Sequence, residues 1–186
     1  VDAGLVGDAA RGLTFVDRQL AGWADRWQRC RHVHHVPSVD ALGRRLRSRV
    51  PRTQRAAVTH NDLKLDNCQF APGDPDHVTT VLDWEMATVG DPLADLGTLL
   101  SYWATTIAEL QLPVAAPRRL SERYAERTGL DLERLDWYTA FAGWRTAIAV
   151  QQLLERRLEA SPTDGAARHD ARRVDDFAEH ALSVLG

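Results

Sequence analysis

Three residues of the stretch Val58-Thr59-His60-Asn61-Asp62-Leu63-Lys64-Leu65-Asp66-Asn67 fit the pattern H-x-D-x-x-x-x-N: His60, Asp62 and Asn67. A second acidic segment, Val81-Leu82-Asp83-Trp84-Glu85, follows shortly after, with Asp83 closing a short apolar strand. These residue types suit phosphoryl transfer from a nucleotide. One carboxylate receives or orients the proton of an attacking hydroxyl, while an amide oxygen and a second carboxylate hold a hard divalent cation against the phosphates. Magnesium needs few protein ligands, because water and phosphate oxygens complete its shell. Asn67 or Asp83 alone reads more simply as a turn residue, but the pair taken with Asp62 favours a site.

The flanking elements must bring these groups together. Ala56-Ala57-Val58 leads into the first stretch as a short apolar strand. Asn67-Cys68-Gln69-Phe70 and Val78-Thr79-Thr80-Val81-Leu82 form a hairpin across Ala71 to Asp76, a loop dense in turn residues. Such a hairpin returns the chain to one edge, so that Asn67 and Asp83 can face one cation.

Helices surround this unit. Val16, Leu20, Trp23, Trp27 and Cys30 lie on one helical face. Pro37-Ser38 opens a short helix with Ser38 as cap and Val39, Leu42 and Leu46 inward. Asp91-Pro92 starts another, whose stripe is Leu93, Leu96, Leu100, Trp103, Ile107 and Leu110. After Pro113 and Pro117 come a helix over 118–128, a Gly129 stop, an Asp131 cap and a long central helix over 132–158. Ser161 to Gly165 is a turn, and Val174, Phe177, Ala178, Ala181, Leu182 and Leu185 mark a last packed helix. Trp137, Trp144 and Arg145 suit either core packing, the better expectation for each Trp, or an acceptor pocket. Cys30, His32, His34 and His35 are too poorly convergent for a metal cluster and read as surface or helix-terminal residues.

The segment His60 to Asn67 resembles the catalytic loop of the protein-kinase-like superfamily. The continuation from Leu82 through Asp83-Trp84-Glu85, Gly90-Asp91-Pro92 and Asp95-Leu96-Gly97 is similar to the aminoglycoside phosphotransferase and choline kinase branch. The wording most resembles the phosphotransferase-like domains found alone in bacteria or fused to acyl-CoA dehydrogenases. That resemblance implies Asp62 and Lys64 as catalytic residues, with Lys64 near the transferring phosphate. It also implies Asn67 and Asp83 as ligands of Mg2+ and of ATP, the co-substrate, with His60 and Asp95 as supports of the loop. For Asp95 a favourable interaction with the helix dipole stays open beside bracing. Glu85 stays open between a contact to metal or substrate and an exposed carboxylate with no duty.

The fold class expected is α+β and mainly helical, a protein-kinase-like C-terminal lobe with a small hairpin. With 186 residues, 44% hydrophobic and 26% charged, the chain can bury one core. A net charge of −3 gives no footprint for nucleic acid or anionic membrane, and no apolar run approaches a membrane span. The expected location is the cytoplasm. Two cysteines, Cys30 and Cys68, set no disulfide framework and are expected reduced and buried. Lys64 is the only lysine, and Gly4, Gly7 and Gly12 lack flanking strands. Kinase-like enzymes use a glycine-rich loop and an upstream lysine. Residues 1–14 therefore read as a linker or hinge remnant and 15–186 as the catalytic lobe, with a nucleotide lobe missing. Another chain, or a homo-oligomer, would cover an apolar cleft rim.

Two functions follow as expectations. The first is an ATP-dependent phosphotransferase acting on a hydroxyl of a small molecule. The alternative is a non-catalytic kinase-like binding or scaffold module. The mixture of Glu133, Arg134, Asp136 and Arg145 in the pocket-forming segments disfavours a cationic antibiotic as acceptor.

Overall fold

The structure is a computed structural model that describes residues 14–110, 115–161 and 165–186, apart from the side chains of residues 75, 105–110, 115 and 116. Expectations for Gly4, Gly7, Gly12, Pro113 and Pro162 to Asp164, and for the side chains of Ile107 and Leu110, lie outside the described residues.

Helix α1 (Phe15–Cys30) begins with a reciprocal cap. Thr14 Oγ1 accepts the Asp17 N–H at 3.2 Å, and the Asp17 carboxylate accepts the Thr14 N–H at 3.1 Å. Its apolar face, Val16, Leu20, Trp23, Trp27 and Cys30, is buried as the spacing requires. Helix α2 (Pro37–Ser48) corrects the expected cap. Val36 is the boundary residue and Pro37 the first helical one, which places Ser38 inside the first turn. Proline carries no N–H and has its φ preset, so it suits that first position and shifts the start by one residue.

Two small antiparallel sheets follow. Strand β1 (Ala57–Thr59) pairs with β4 (Thr88–Gly90), matching Val58 with Val89. Strand β2 (Cys68–Ala71) pairs with β3 (Asp74–Val81), matching Cys68 with Val81 and Gln69 with Thr80, with register shifts towards the turn. The hairpin loop is tighter than expected. Gly73, at φ 76°, turns the chain within Pro72-Gly73, and β3 takes up residues expected in the loop. Strand β4 has no counterpart in the sequence reading, because three residues carry no period of their own.

Helices α3 (Leu93–Leu110), α4 (Ala115–Thr128), α5 (Leu135–Ala160) and α6 (Ala166–Val184) complete the chain. Asp91 Oδ1 accepts the Leu93 N–H at 3.0 Å and so starts α3. Helix α4 begins at Ala115, earlier than expected, and ends before Gly129, whose φ of 69° suits a left-handed stop. Asp131 caps a turn through the Glu133 N–H instead of α5, which starts after Arg134.

Helix α5 is the spine: α1, α2, α3 and α6 all pack on it. Trp137 and Trp144 are core residues, and their indoles donate to Leu46 O at 3.0 Å and Val39 O at 3.1 Å, tying α2 to α5. Gly97 lets α3 touch the α5 backbone, since a Cβ there would lie 2.5 Å from the Tyr138 carbonyl carbon. His32, His34 and His35 face three different carboxylates, Glu155, Asp175 and Asp40. Among the described residues no three His, Cys, Asp or Glu side chains converge on a metal position. Burial pushes the Cys30 thiol up to about 11, whereas Cys68 is only half-buried, contrary to expectation, because it lies on the outer hairpin. No helix of the described residues is long and apolar enough to cross a membrane.

Candidate active site

The loop from His60 to Asn67 connects β1 to β2, and Asp83 to Ala87 connects β3 to β4. Pairing of β1 with β4 holds the two connections side by side. Asp95, in the first turn of α3, reaches back to the first loop. Its two carboxylate oxygens accept the N–H groups of His60 and Asn61, each at 2.7 Å. Burial raises the Asp95 pKa, and the two backbone bonds recover only part of that shift.

His60 is 2% exposed and has both ring nitrogens occupied. Nδ1 accepts the Asp62 N–H at 3.3 Å, which leaves Nε2 to donate to Leu82 O at 2.7 Å. The ring therefore ties the first loop to the residue preceding Asp83. Trp84 packs on it at 4.8 Å between ring centroids and donates its indole N–H to Val81 O at 2.7 Å. A histidine so engaged has no nitrogen left to serve as a base.

Asn61 adopts the left-handed conformation, φ 66°, which asparagine tolerates better than most residues. Its side-chain amide donates to Thr59 Oγ1 at 3.2 Å and Met86 O at 2.9 Å, and its backbone carbonyl accepts from Arg145 Nη2 at 2.8 Å. The sequence reading assigned Asn61 no role; the available sign was a residue suited to positive φ between His60 and Asp62.

Asp62, Lys64 and Asn67 meet directly. Lys64 Nζ donates to Asp62 Oδ2 at 2.9 Å, and Asn67 Nδ2 donates to the Asp62 backbone carbonyl at 2.8 Å and to Oδ2 at 3.2 Å. Burial alone would lower the Lys64 pKa, but the bond to Asp62 and the charges of Asp62, Tyr102 and Asp66 outweigh it and raise the value. Lys64 thus stays a cation beside the carboxylate.

Asp83 stands apart from this contact set. It is exposed and left-handed, φ 65° and ψ 55°, and follows Leu82, whose N–H donates to Asn67 O at 2.8 Å. The main chain therefore brings Asp83 next to Asn67. Among the described residues the Asp83 and Glu85 carboxylates make no hydrogen bond or ion pair. Asn67 spends its amide nitrogen on Asp62, which leaves Oδ1 without a protein partner among the described residues. An amide oxygen and an open carboxylate are the hard donors that suit magnesium, so Asn67 and Asp83 fit the ion.

A cavity of about 90 Å³ adjoins the loop and is lined in part by Asp62, Asn61, Arg145, Tyr102, Thr98 and Trp23. Arg145, from α5, is 7% exposed, and burial lowers its pKa. Val58, Leu82, Trp84 and Met86, the last of which also lines the cavity, are exposed by 64, 43, 51 and 42%, giving the strands and connections an apolar rim.

Residues 1–138 match the phosphotransferase enzyme family. Acyl-CoA dehydrogenase family member 11 of Pongo abelii is 32% identical over 93% of this chain, and family member 10 of Mus musculus is 26% identical over 90%. The chain spans 24% and 17% of those two proteins, about a quarter of their length or less. A solved structure from Ralstonia eutropha, provisionally assigned as an aminoglycoside phosphotransferase, superposes with a TM-score of 0.73 at 26% identity, over 99% of this chain and 60% of that one. The motif, the kinase-like fold and the match across most of its length place this chain in the phosphotransferase enzyme family.

Proposed function

We propose that the chain is the catalytic lobe of an ATP-dependent phosphotransferase that phosphorylates a hydroxyl group of a small molecule. The observation that carries this reading is the contact set of Asp62, Lys64 and Asn67 on a loop braced by Asp95. The Asp62 carboxylate, 23% exposed at its side chain, faces the cavity and accepts or orients the proton of the acceptor hydroxyl. Lys64 holds that carboxylate and offers a positive charge to the phosphoryl oxygens as they leave the nucleotide. Asn67 and Asp83 would hold magnesium, which supplies charge neutralisation at the phosphates when bound. His60 fixes the spacing of the two loops. The apolar rim of Val58, Leu82, Trp84 and Met86 supports a nucleotide held between this surface and a second lobe, contributed by further chain or by a partner.

The test is phosphate transfer from ATP to a panel of hydroxylated metabolites, followed by product detection and nucleotide titration with and without magnesium. Asp62→Asn should lower turnover by about two to four orders of magnitude while nucleotide binding persists. Asp83→Asn should weaken the magnesium-nucleotide complex itself. Full turnover in the Asp62 variant would sink the assignment.

A further inference from the structure

The peptide unit between Asn61 and Asp62 is the last rigid link before the Asp62 side chain, and it is held at both ends. Its N–H donates to His60 Nδ1 at 3.3 Å, a long bond. Its carbonyl accepts from Arg145 Nη2 at 2.8 Å, a short, charge-assisted bond and so the stronger hold. The Asp95 carboxylate takes the His60 and Asn61 N–H groups, which belong to the two preceding peptide units, and does not reach this one. Rotation of the Asn61–Asp62 unit would change ψ of Asn61 and φ of Asp62, swinging the Asp62 side chain while the Asp95 bonds stay in place.

Arg145 is mounted for such a hold. It stands on α5, against which α1, α2, α3 and α6 pack, and it is buried. Its central carbon lies 5.3 Å from the Trp23 ring and 5.6 Å from the Phe141 ring, which confine the guanidinium. Burial lowers its pKa, against the charges of Tyr102, Asp62 and Asp95, yet among the described residues no carboxylate lies within ion-pair distance. Taking a cation out of water is costly and ordinarily calls for a carboxylate partner; an apolar side chain of similar length would fill the site at less cost. Among the described residues Nε and Nη1 donate to no protein group, so the buried ion is directed at the main-chain carbonyl of Asn61.

We propose that Arg145 is a positioning residue: it fixes the plane of the Asn61–Asp62 peptide and, through it, the direction of the Asp62 carboxylate. Asp95 sets where the loop lies, and Arg145 sets how Asp62 leaves it. The inference rests on the phosphotransferase reading for the task of Asp62; the hold on the peptide stands on Arg145, Asn61 and His60.

The experiment is NMR hydrogen exchange on the full chain labelled with nitrogen-15, with phosphate transfer from ATP to hydroxylated metabolites as the second readout. Arg145→Met keeps an apolar stem and removes the donor. Exchange at the Asp62 amide should quicken roughly ten- to a hundredfold, the loss of one charge-assisted bond. The His60 Nδ1 resonance should move with it, while the amides of His60, Asn61 and α5 keep their rates. Turnover should fall roughly a hundredfold with the nucleotide KM unchanged, because the reacting group is misaimed and the nucleotide ligands are not touched. In Arg145→Ala, added methylguanidinium should slow the Asp62 amide again and recover turnover, and methylammonium, which lacks the planar fork, should do less. Should the Met and Ala variants fail to fold, Arg145→Lys decides: its point charge should leave the Asp62 amide at least roughly threefold faster than in the parent, with α5 unchanged. An unmoved Asp62 amide in the Met or Lys variant, quickening spread equally over α1 and α5, or no response to methylguanidinium would each overturn the proposal. A chain whose Asp62 amide responds as stated but that transfers no phosphate keeps the hold and loses the phosphotransferase reading. One that loses turnover in Asp62→Asn but keeps it in Arg145→Met does the reverse.

Discussion

Replacing Asp95 by asparagine should loosen the loop from His60 to Asn67 while leaving the helical core intact. The carboxylate accepts two backbone N–H groups at 2.7 Å each, one of them on Asn61 in the left-handed region. Asparagine has one oxygen, so one of those donors would meet an amide NH2 group and remain buried without a partner. An orphaned donor costs about 1–3 kcal/mol, and weakening the other bond from charged to neutral adds about 1 kcal/mol. Relief from burying the charge returns part of this, since burial outweighs the hydrogen bonds in setting the Asp95 pKa. A net loss of about 1–3 kcal/mol is therefore expected, against about 5–15 kcal/mol for a domain of ordinary stability. Urea unfolding should show a lower midpoint with an unchanged slope. Hydrogen exchange should quicken at the His60 and Asn61 amides and stay slow in α5, because the break is local. A midpoint equal to that of the parent, with unchanged exchange at both amides, would refute the bracing role.

Three further outcomes follow from the same contacts. Because the folded-state pKa of Asp95 is raised, its contribution to stability is fully present below the unfolded value and is lost as pH rises through the folded value. The stability gap between parent and Asp95→Asn should thus narrow as pH rises out of the acid range, which urea titrations at several pH values would check. Gly97→Ala would place a Cβ 2.5 Å from the Tyr138 carbonyl carbon, where only movement of α3 against α5 relieves the clash, so thermal unfolding should report a loss of about 3 kcal/mol or more. Tyr138→Phe removes the 2.7 Å bond to Asp91 Oδ2 and leaves a buried carboxylate oxygen bare, for an expected loss of about 1–3 kcal/mol in denaturant, without a change in slope.

Local chemistry carries much of this protein in the order of its residues. The stripe from Val16 to Cys30, the Asp91-Pro92 start, the Gly129 stop and the hairpin joining Asn67 to Asp83 each follow from neighbours a few positions apart. Their causes, helical period, capping and turn conformation, act at that range. The loop motif and the Asp83 segment likewise carry their proposed chemistry in residue type and spacing. Packing decided the rest. Strand β4 exists because β1 lies opposite it. Arg145 lies 84 positions from the carbonyl it donates to, and nothing in its own neighbourhood separates a surface arginine from one buried beside Asp62. Its burial depends on α5 being the helix against which the others close, which is a property of the assembled core. The same holds for Asp95, whose sequence suits a helix dipole equally well until the fold brings the His60 and Asn61 amides within its reach.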